Sequence, residues 1–265
     1  RSIERLREAV ERLDPRSRAV IVATELEGKT FRELSELWGV PMGTLLSLKH
    51  RAIKKLRNRL GLDPRDGKIS VLENGVDVKR FRPAGKDGDF TIVYAGRVDR
   101  GKMKGLELLA QVVDEMDPDL NPSLVVASNW EPPGRRVSYL GWTWDIASVL
   151  SRAQVGVGTG RAIREAMACG CAAIVMGKNY GGIVTPAGVR RLRRANFSAL
   201  DSRTSPNKRS IARDLEWLAT NPEELRSLQE FGRQYAVAHF NLDLIAAKTA
   251  SIYLGAISDA LNDQV

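Results

Sequence analysis

The feature that most constrains this chain is a change of period. From residue 3 to residue 60 the apolar residues recur at helical spacing only. Beyond residue 68 short β-rich runs, FTIVYAG, LVVAS, VSYLGW, QVGVG and AAIVMG, follow one another with helical stretches between several of them. Strands alternating with helices predict a parallel sheet with right-handed crossovers. From Ser205 onward the pattern is helical again. Between the two regimes lies GLDPRDGK, residues 61–68, whose Gly, Pro and Asp content reads as a linker. The expectation is therefore an α/β chain with a small all-α domain in front: 1–60, a linker at 61–68, and 69–265. A length of 265 residues suits two domains.

Several classes are excluded at this stage. No apolar run approaches the roughly 18–20 residues of a membrane span. The start, RSIERLREAVERL, is charged and helical in pattern, unlike a signal peptide, and its first residue is not Met, which fits upstream trimming. Cys169 and Cys171, in ACGCAA, are the sole cysteines, so a disulfide framework is ruled out and a reducing cytoplasmic setting is expected. Two His and two Cys, scattered, predict no structural zinc. The net charge of +9 is uneven. Residues 1–62 carry 14 Lys and Arg against 8 Asp and Glu. Such asymmetry suits a polyanion partner for the first module, and it equally suits a solvated basic helix.

Within the first module, Ile3, Leu6, Val10 and Leu13 make one helix, and Asp14-Pro15 starts the next, closed by Gly28. Thr30 and Glu33 form a capping box for a third helix. A turn at Gly39-Val40-Pro41 leads to a fourth, from about Met42 to Leu60. The last two have helix-turn-helix spacing: Ser35 is small where they cross, and Leu34, Leu37, Val40, Leu45 and Leu48 lock the pair. The fourth helix divides by face, with Leu45, Leu48, Ala52 and Leu56 buried and Ser47, His50, Arg51 and Lys54 opposite. From Met42 to Leu60 it carries six Lys and Arg and no acid. Such a helix fits the major groove; a helical hairpin that only packs or binds protein would show the same spacing. Trp38 is expected in the core.

The run ERLDPRSRAVIVATELEGKTFRELSELWGVPMGTLLSLKHRAIKKLRNRL closely resembles region 4 of the bacterial sigma-70 family, most specifically in GVPMGTLLSLKHRAIKKLR. The resemblance implies a recognition helix for the −35 promoter element and docking on RNA polymerase. It nominates Thr44, Ser47, His50, Arg51 and Lys54 as DNA contacts. No counterpart of the sigma region that melts DNA is found in the sequence, so a complete sigma factor is not expected.

In the second module ISVLENGVDVKRFRP, FTIVYAGRVDRGKMKGLELL, VSYLGW and GTGRAIREAMACGCAAIV occur in that order. Together they resemble the C-terminal, nucleotide-sugar-binding half of retaining GT-B glycosyltransferases (group 1 type), over about residues 69–255. The implied fold is Rossmann-like. The strand TIVYAG ends in Gly96-Arg97, and open α/β sheets bind ligands at that edge. Arg97 with a nearby Lys can neutralise a diphosphate. The family's GRxxxxKG pattern matches GRVDRGKMKG ambiguously: Lys102 has the family spacing and Lys104 the following Gly. Gly158 and Gly160 permit close backbone approach before a helix N-terminus that can face an anion; a tight strand-to-helix turn would need the same residues. Glu165, in EAMA, matches the carboxylate that holds the ribose hydroxyls. The family's second Glu, eight residues earlier near the donor sugar, is Val157 here.

Other residues carry plainer expectations. Trp142 or Trp144 lines the base pocket or is a half-buried surface aromatic. Cys169 is a small buried residue, the run 190–195 (RRLRRA) a solvated helix face, and His239 structural. No residue is assigned a catalytic role. A GT-B enzyme needs a second, acceptor-binding half, and the helix-turn-helix stands in its place; natural fusion, trimmed chain and engineered chimera all fit. The functional expectation is a glycosyltransferase-like protein binding a nucleotide-diphosphate sugar, with no metal or other cofactor, with DNA and RNA polymerase as partners of the first module, and with an acceptor-domain chain supplied separately. The alternative is a transcription-related DNA-binding protein whose Rossmann-like domain is a ligand sensor or scaffold.

Overall fold

The computed structural model describes residues 2–27, 29–61, 72–85 and 88–262. It divides into two compact units, 1–71 and 72–265. Of the linker expected at 61–68, all but Gly61 lies outside the described residues, as does the helix-closing role of Gly28.

Among its described residues the first unit has four α-helices: α1 (Ser2–Glu11), α2 (Pro15–Ile21), α3 (Phe31–Trp38) and α4 (Met42–Leu60). Local chemistry sets their ends. The Asp14 carboxylate accepts from the Ser17 N–H at 3.0 Å, with Pro15 at the first helical position. Thr30 and Glu33 form the reciprocal capping box, and Gly39 ends α3 in the left-handed region (φ 63°) that its lack of Cβ permits. Beyond Ile21 the helix widens into a π turn, Val22–Leu26, where the Thr24 hydroxyl donates to the Val20 carbonyl at 2.9 Å.

Two apolar clusters hold this unit. Ala9, Leu13 and Ile21 pack on Ala52 and Leu56, and Val20, Ala23 and Leu34 pack on Leu45. Val40 and Leu48 join the second cluster from its rim. Two expectations need correcting. Leu37 is 65% exposed and does not lock the helix pair, and Trp38 is 38% exposed rather than core. Both fall at the end of α3, where the left-handed turn at Gly39 leads the chain away before anything covers them.

The second unit is an α/β sandwich around one six-stranded sheet in the order β3-β2-β1-β4-β5-β6. The strands are β1 (Thr91–Ala95), β2 (Ser123–Ala127), β3 (Val137–Tyr139), β4 (Val155–Gly158), β5 (Ala172–Met176) and β6 (Tyr180–Ile183). The first five are parallel, and β6 runs antiparallel at the edge. That sixth strand is absent from the sequence expectation because YGGI, with two glycines, carries little strand propensity.

Period-2 alternation puts each strand's side chains on both faces. Ile92 and Tyr94 of β1 join one core with α5 (Arg100–Glu115). Val93 joins the other, with α6 (Ile146–Arg152) and α7 (Arg161–Ala168). The later helices are α8 (Val189–Arg194), α9 (Lys208–Thr220), α10 (Pro222–Phe240) and α11 (Leu242–Asn262). Ile211, Leu215 and Leu218 of α9 close the first core, and Ala236 and Phe240 of α10 the second. The segment before β1 is pinned to the α10–α11 junction, with the Val76 N–H donating to the Phe240 carbonyl at 2.7 Å. No described helix is long and apolar enough to cross a membrane.

Candidate functional site

The strand order places a topological switch at β1/β4. From β1 the chain winds outward through β2 and β3, and from β4 it winds the other way. The loops leaving β1 and β4 therefore diverge, and a crevice opens between them at the carboxyl edge. Its volume is about 270 Å³. Ala95, Gly96 and Arg97 wall it from β1, Trp142 and Thr143 from the loop after β3, and Thr159, Arg161, Ala162 and Glu165 from the β4–α7 turn.

The two glycines of that turn do different work. A Cβ on Gly158 would stand 2.7 Å from the Ala95 carbonyl oxygen of the neighbouring strand, so this glycine serves β1–β4 packing. Gly160 caps α7 at φ 60°, ψ −118°, a backbone state that strains any residue with a Cβ. It thereby aims the first turn of α7 at the crevice, where the leading N–H groups lack intrahelical partners and present a positive dipole end.

Glu165 sits one turn along the same face. Its side chain is 11% exposed and accepts from Arg161 Nε at 2.7 Å. Burial pushes its carboxyl above its ordinary pKa, and the Arg161 hydrogen bond and charge partly offset this. The Arg80 cation also acts on Glu165, and Arg80 Nη2 donates to the Trp144 carbonyl at 2.8 Å beside the crevice wall. Arg97 is exposed in the lining, and among the described residues no carboxylate pairs with it. Lys102 and Lys104 lie outside the lining: the Lys102 ammonium donates to the Arg97 carbonyl at 3.1 Å, and Lys104 faces Glu107 at 3.7 Å.

The structure thus brings Arg97 and Glu165 into one lining, sets Gly160 at the cap of α7 beside it, keeps Gly158 in the sheet, and places Lys102 on the Arg97 carbonyl and Lys104 on Glu107. Reading the sequence missed Arg161, Arg80 and Thr159. The i, i+4 spacing of Arg161 and Glu165 was the available signal for the first. Val157 is buried in β4. Trp142 lines the crevice and Trp144 is fully out in solvent.

The other face of α7 carries a structural cluster. Arg164 is only 2% exposed, and its guanidinium reaches the Asn74 carbonyl, Asn196 and Glu73 over the Phe240 ring. Arg193 makes a forked pair with Glu73, so this one arginine of the run 190–195 is partly buried. Arg190, Arg191 and Arg194 line an open groove, with Arg191 on Asp201 at 3.0 Å. Cys169 is buried, and His239 packs on Tyr235 at 4.3 Å between centroids. Among the described residues no group of three or more His, Cys, Asp or Glu could hold a metal ion.

In the first unit Thr44, Ser47, His50, Arg51 and Lys54 are all exposed, on the side of α4 away from Leu45, Ala52 and Leu56. The Ser47 hydroxyl donates to the Gly43 carbonyl at 2.8 Å, and Arg51 Nε donates to the Ser47 carbonyl at 3.3 Å. These two side chains lie along the helix, one turn from each other.

Residues 3–56 match the family model for sigma-70, region 4. The chain is also similar in structure to glycosyltransferases of the GT-B fold. Sucrose-phosphate synthase of Thermosynechococcus elongatus is 21% identical over 72% of this chain and 53% of its own, with a TM-score of 0.54. HepE of Anabaena, solved in complex with UDP, is 15% identical over 77% of this chain and 62% of its own, also at 0.54. A glycosyltransferase of Rickettsia africae is 15% identical over 76% and 60%, at 0.53. The chain therefore spans between about half and three fifths of the length of these proteins, and what it shares with them is the fold.

Proposed function

We propose that the second unit binds a nucleoside diphosphate sugar in the crevice at the carboxyl edge of its sheet. The observation that carries this reading is convergence at the β1/β4 switch point. A cation (Arg97), a helix N-terminus (α7) and a buried carboxylate (Glu165) face one cavity. Phosphates suit the first two, and ribose hydroxyls suit an ionised carboxylate whose hydrogen bond among the described residues comes from Arg161. The structures of HepE with UDP and with UDP-glucose support the nucleotide class. Trp142 supplies an apolar wall for a base or sugar ring.

Sugar transfer would need an acceptor-binding half from outside these 265 residues. A single wall leaves the donor open to water and holds no acceptor at attack distance, so positioning and electrostatic contributions worth many kcal/mol are missing. Isothermal titration with UDP and GDP tests the binding. The expected outcome is nucleotide heat for the parent, and a loss of about tenfold or more in Arg97→Ala and Glu165→Ala, the range of a charged hydrogen bond. No heat with either nucleotide, or unchanged affinity in both variants, would reject the site.

The first unit carries a second activity in this reading, duplex DNA binding through α4, with RNA polymerase as a further partner. What favours it is the match to sigma-70 region 4 together with the outward placement of Thr44, Ser47, His50, Arg51 and Lys54. A cytoplasmic, transcription-linked setting follows from that partner. The alternative, a transcription-related DNA-binding protein whose second unit is a ligand sensor or scaffold, shares the DNA binding and differs in having no transfer step.

A further inference from the structure

The crevice holds a second cation that no motif assigns. Arg161 opens α7, lines the cavity with Arg97, and stands one helical turn before Glu165 on the same face. Its side chain is 67% exposed at the crevice mouth, while that of Glu165 lies within. The lysines nearest in sequence to Arg97 are turned to the Arg97 carbonyl and to Glu107. Of the charged groups that the described residues bring to the lining, Arg97 and Arg161 are the cations and Glu165 the acid.

These placements create a conflict that one side chain can resolve. A diphosphate brings two or more negative charges close to a buried carboxylate. Beside a carboxylate so little exposed, unlike charges attract and like charges repel more strongly than in open water. Arg161 makes the hydrogen-bonded ion pair that Glu165 has among the described residues, with the Arg80 charge acting on it from farther off. A guanidinium has five donors and a flexible stem, so it can reach phosphate oxygens without leaving the crevice. Once it does, the carboxylate lone pairs it occupied are free for hydroxyls.

Resting on the nucleotide reading above, we propose that Arg161 is the phosphate-sensing residue of this site. With no nucleotide bound it pairs with Glu165. It transfers to the phosphates of an incoming nucleoside diphosphate and so releases Glu165 to the ribose. Phosphate and ribose recognition are then coupled, and the site discriminates a nucleoside diphosphate from its nucleoside. In the unliganded pair Arg161 competes with a bare nucleoside, whereas it assists the diphosphate.

The test is titration of the full chain with UDP and uridine, or GDP and guanosine if that base is preferred, for the parent, Arg161→Ala and Arg161→Lys. Arg161→Ala leaves the nearly buried Glu165 carboxylate without its guanidinium, so thermal unfolding of each variant is measured first and binding is compared at a temperature where all three chains are folded. Arg161→Ala should weaken the diphosphate tenfold or more and leave the nucleoside equal or tighter. Arg161→Lys should restore part of the diphosphate affinity. Diphosphate affinity unchanged in Arg161→Ala, or lost without any recovery in Arg161→Lys, would overturn the proposal, as would an equal loss of nucleotide and nucleoside. If Arg97→Ala abolishes UDP binding while Arg161→Ala spares it, this proposal alone fails. If the parent binds neither nucleotide, the site itself was wrongly assigned and both readings fall.

Discussion

Glu165 is ionisable and nearly buried, and the crevice asks it to be charged. Its raised pKa fixes the sign of a pH effect. The folded protein holds the Glu165 proton above the ordinary value of 4.5, so folding binds a proton there that the unfolded chain has released. The stability contributed is full below 4.5 and is lost as pH rises through the folded pKa. Glu165→Gln cannot ionise and loses nothing. Urea unfolding of both proteins from about pH 4 to pH 7 should therefore show the parent losing ground to the Gln variant as pH rises. A constant difference over that range would mean that Arg161 fully compensates the burial. Arg164 and Arg161 illustrate the same residue-scale dependence on placement. They are three residues apart, yet one is sealed against Glu73 and Phe240 and the other faces solvent and Glu165.

Among the elements, α4 shows how one helix can hold a fold and present a surface. Leu45, Ala52 and Leu56 close two small clusters, and the opposite side carries Ser47, His50, Arg51 and Lys54. Replacing the last two cations should leave those clusters untouched. Arg51→Ala/Lys54→Ala is expected to weaken duplex DNA binding and to lower the salt dependence by about one unit for each phosphate left without its cation. Equal affinity of variant and parent from low to high salt would remove α4 as the DNA-facing element. The end of α3 is less tidy. Leu37 and Trp38 stay exposed because the turn at Gly39 redirects the chain.

For the whole molecule, two units with separate apolar cores should respond separately to a ligand of one. Heating is expected to give two unfolding transitions, of which UDP raises only the one belonging to 72–265. At a UDP concentration of about one hundred times Kd that unit gains about 2.7 kcal/mol. A single transition, or a shift of both by UDP, would show that the units are energetically coupled.

Much of this was legible in the sequence, and for a common reason. Helical and strand periods, the Thr30–Glu33 box, the Asp14 cap and the division of α4 into faces are all settled by residues a few positions apart. So was the placing of Gly160 at the start of the helix that carries Glu165. The edge strand β6 escaped because two glycines mask its propensity, and it forms where β5 offers a free edge. Which cations meet in the crevice was not decided locally. Arg97 lies more than sixty residues from Arg161 in the chain, and they share one cavity only because the order β3-β2-β1-β4-β5-β6 sets β1 beside β4. The same packing holds Lys102 on the Arg97 carbonyl, turns Lys104 to Glu107 and buries Arg164. Periodicity fixes which side of an element is apolar, whereas only the assembled sheet fixes which loop ends face each other, because that depends on residues distant in sequence.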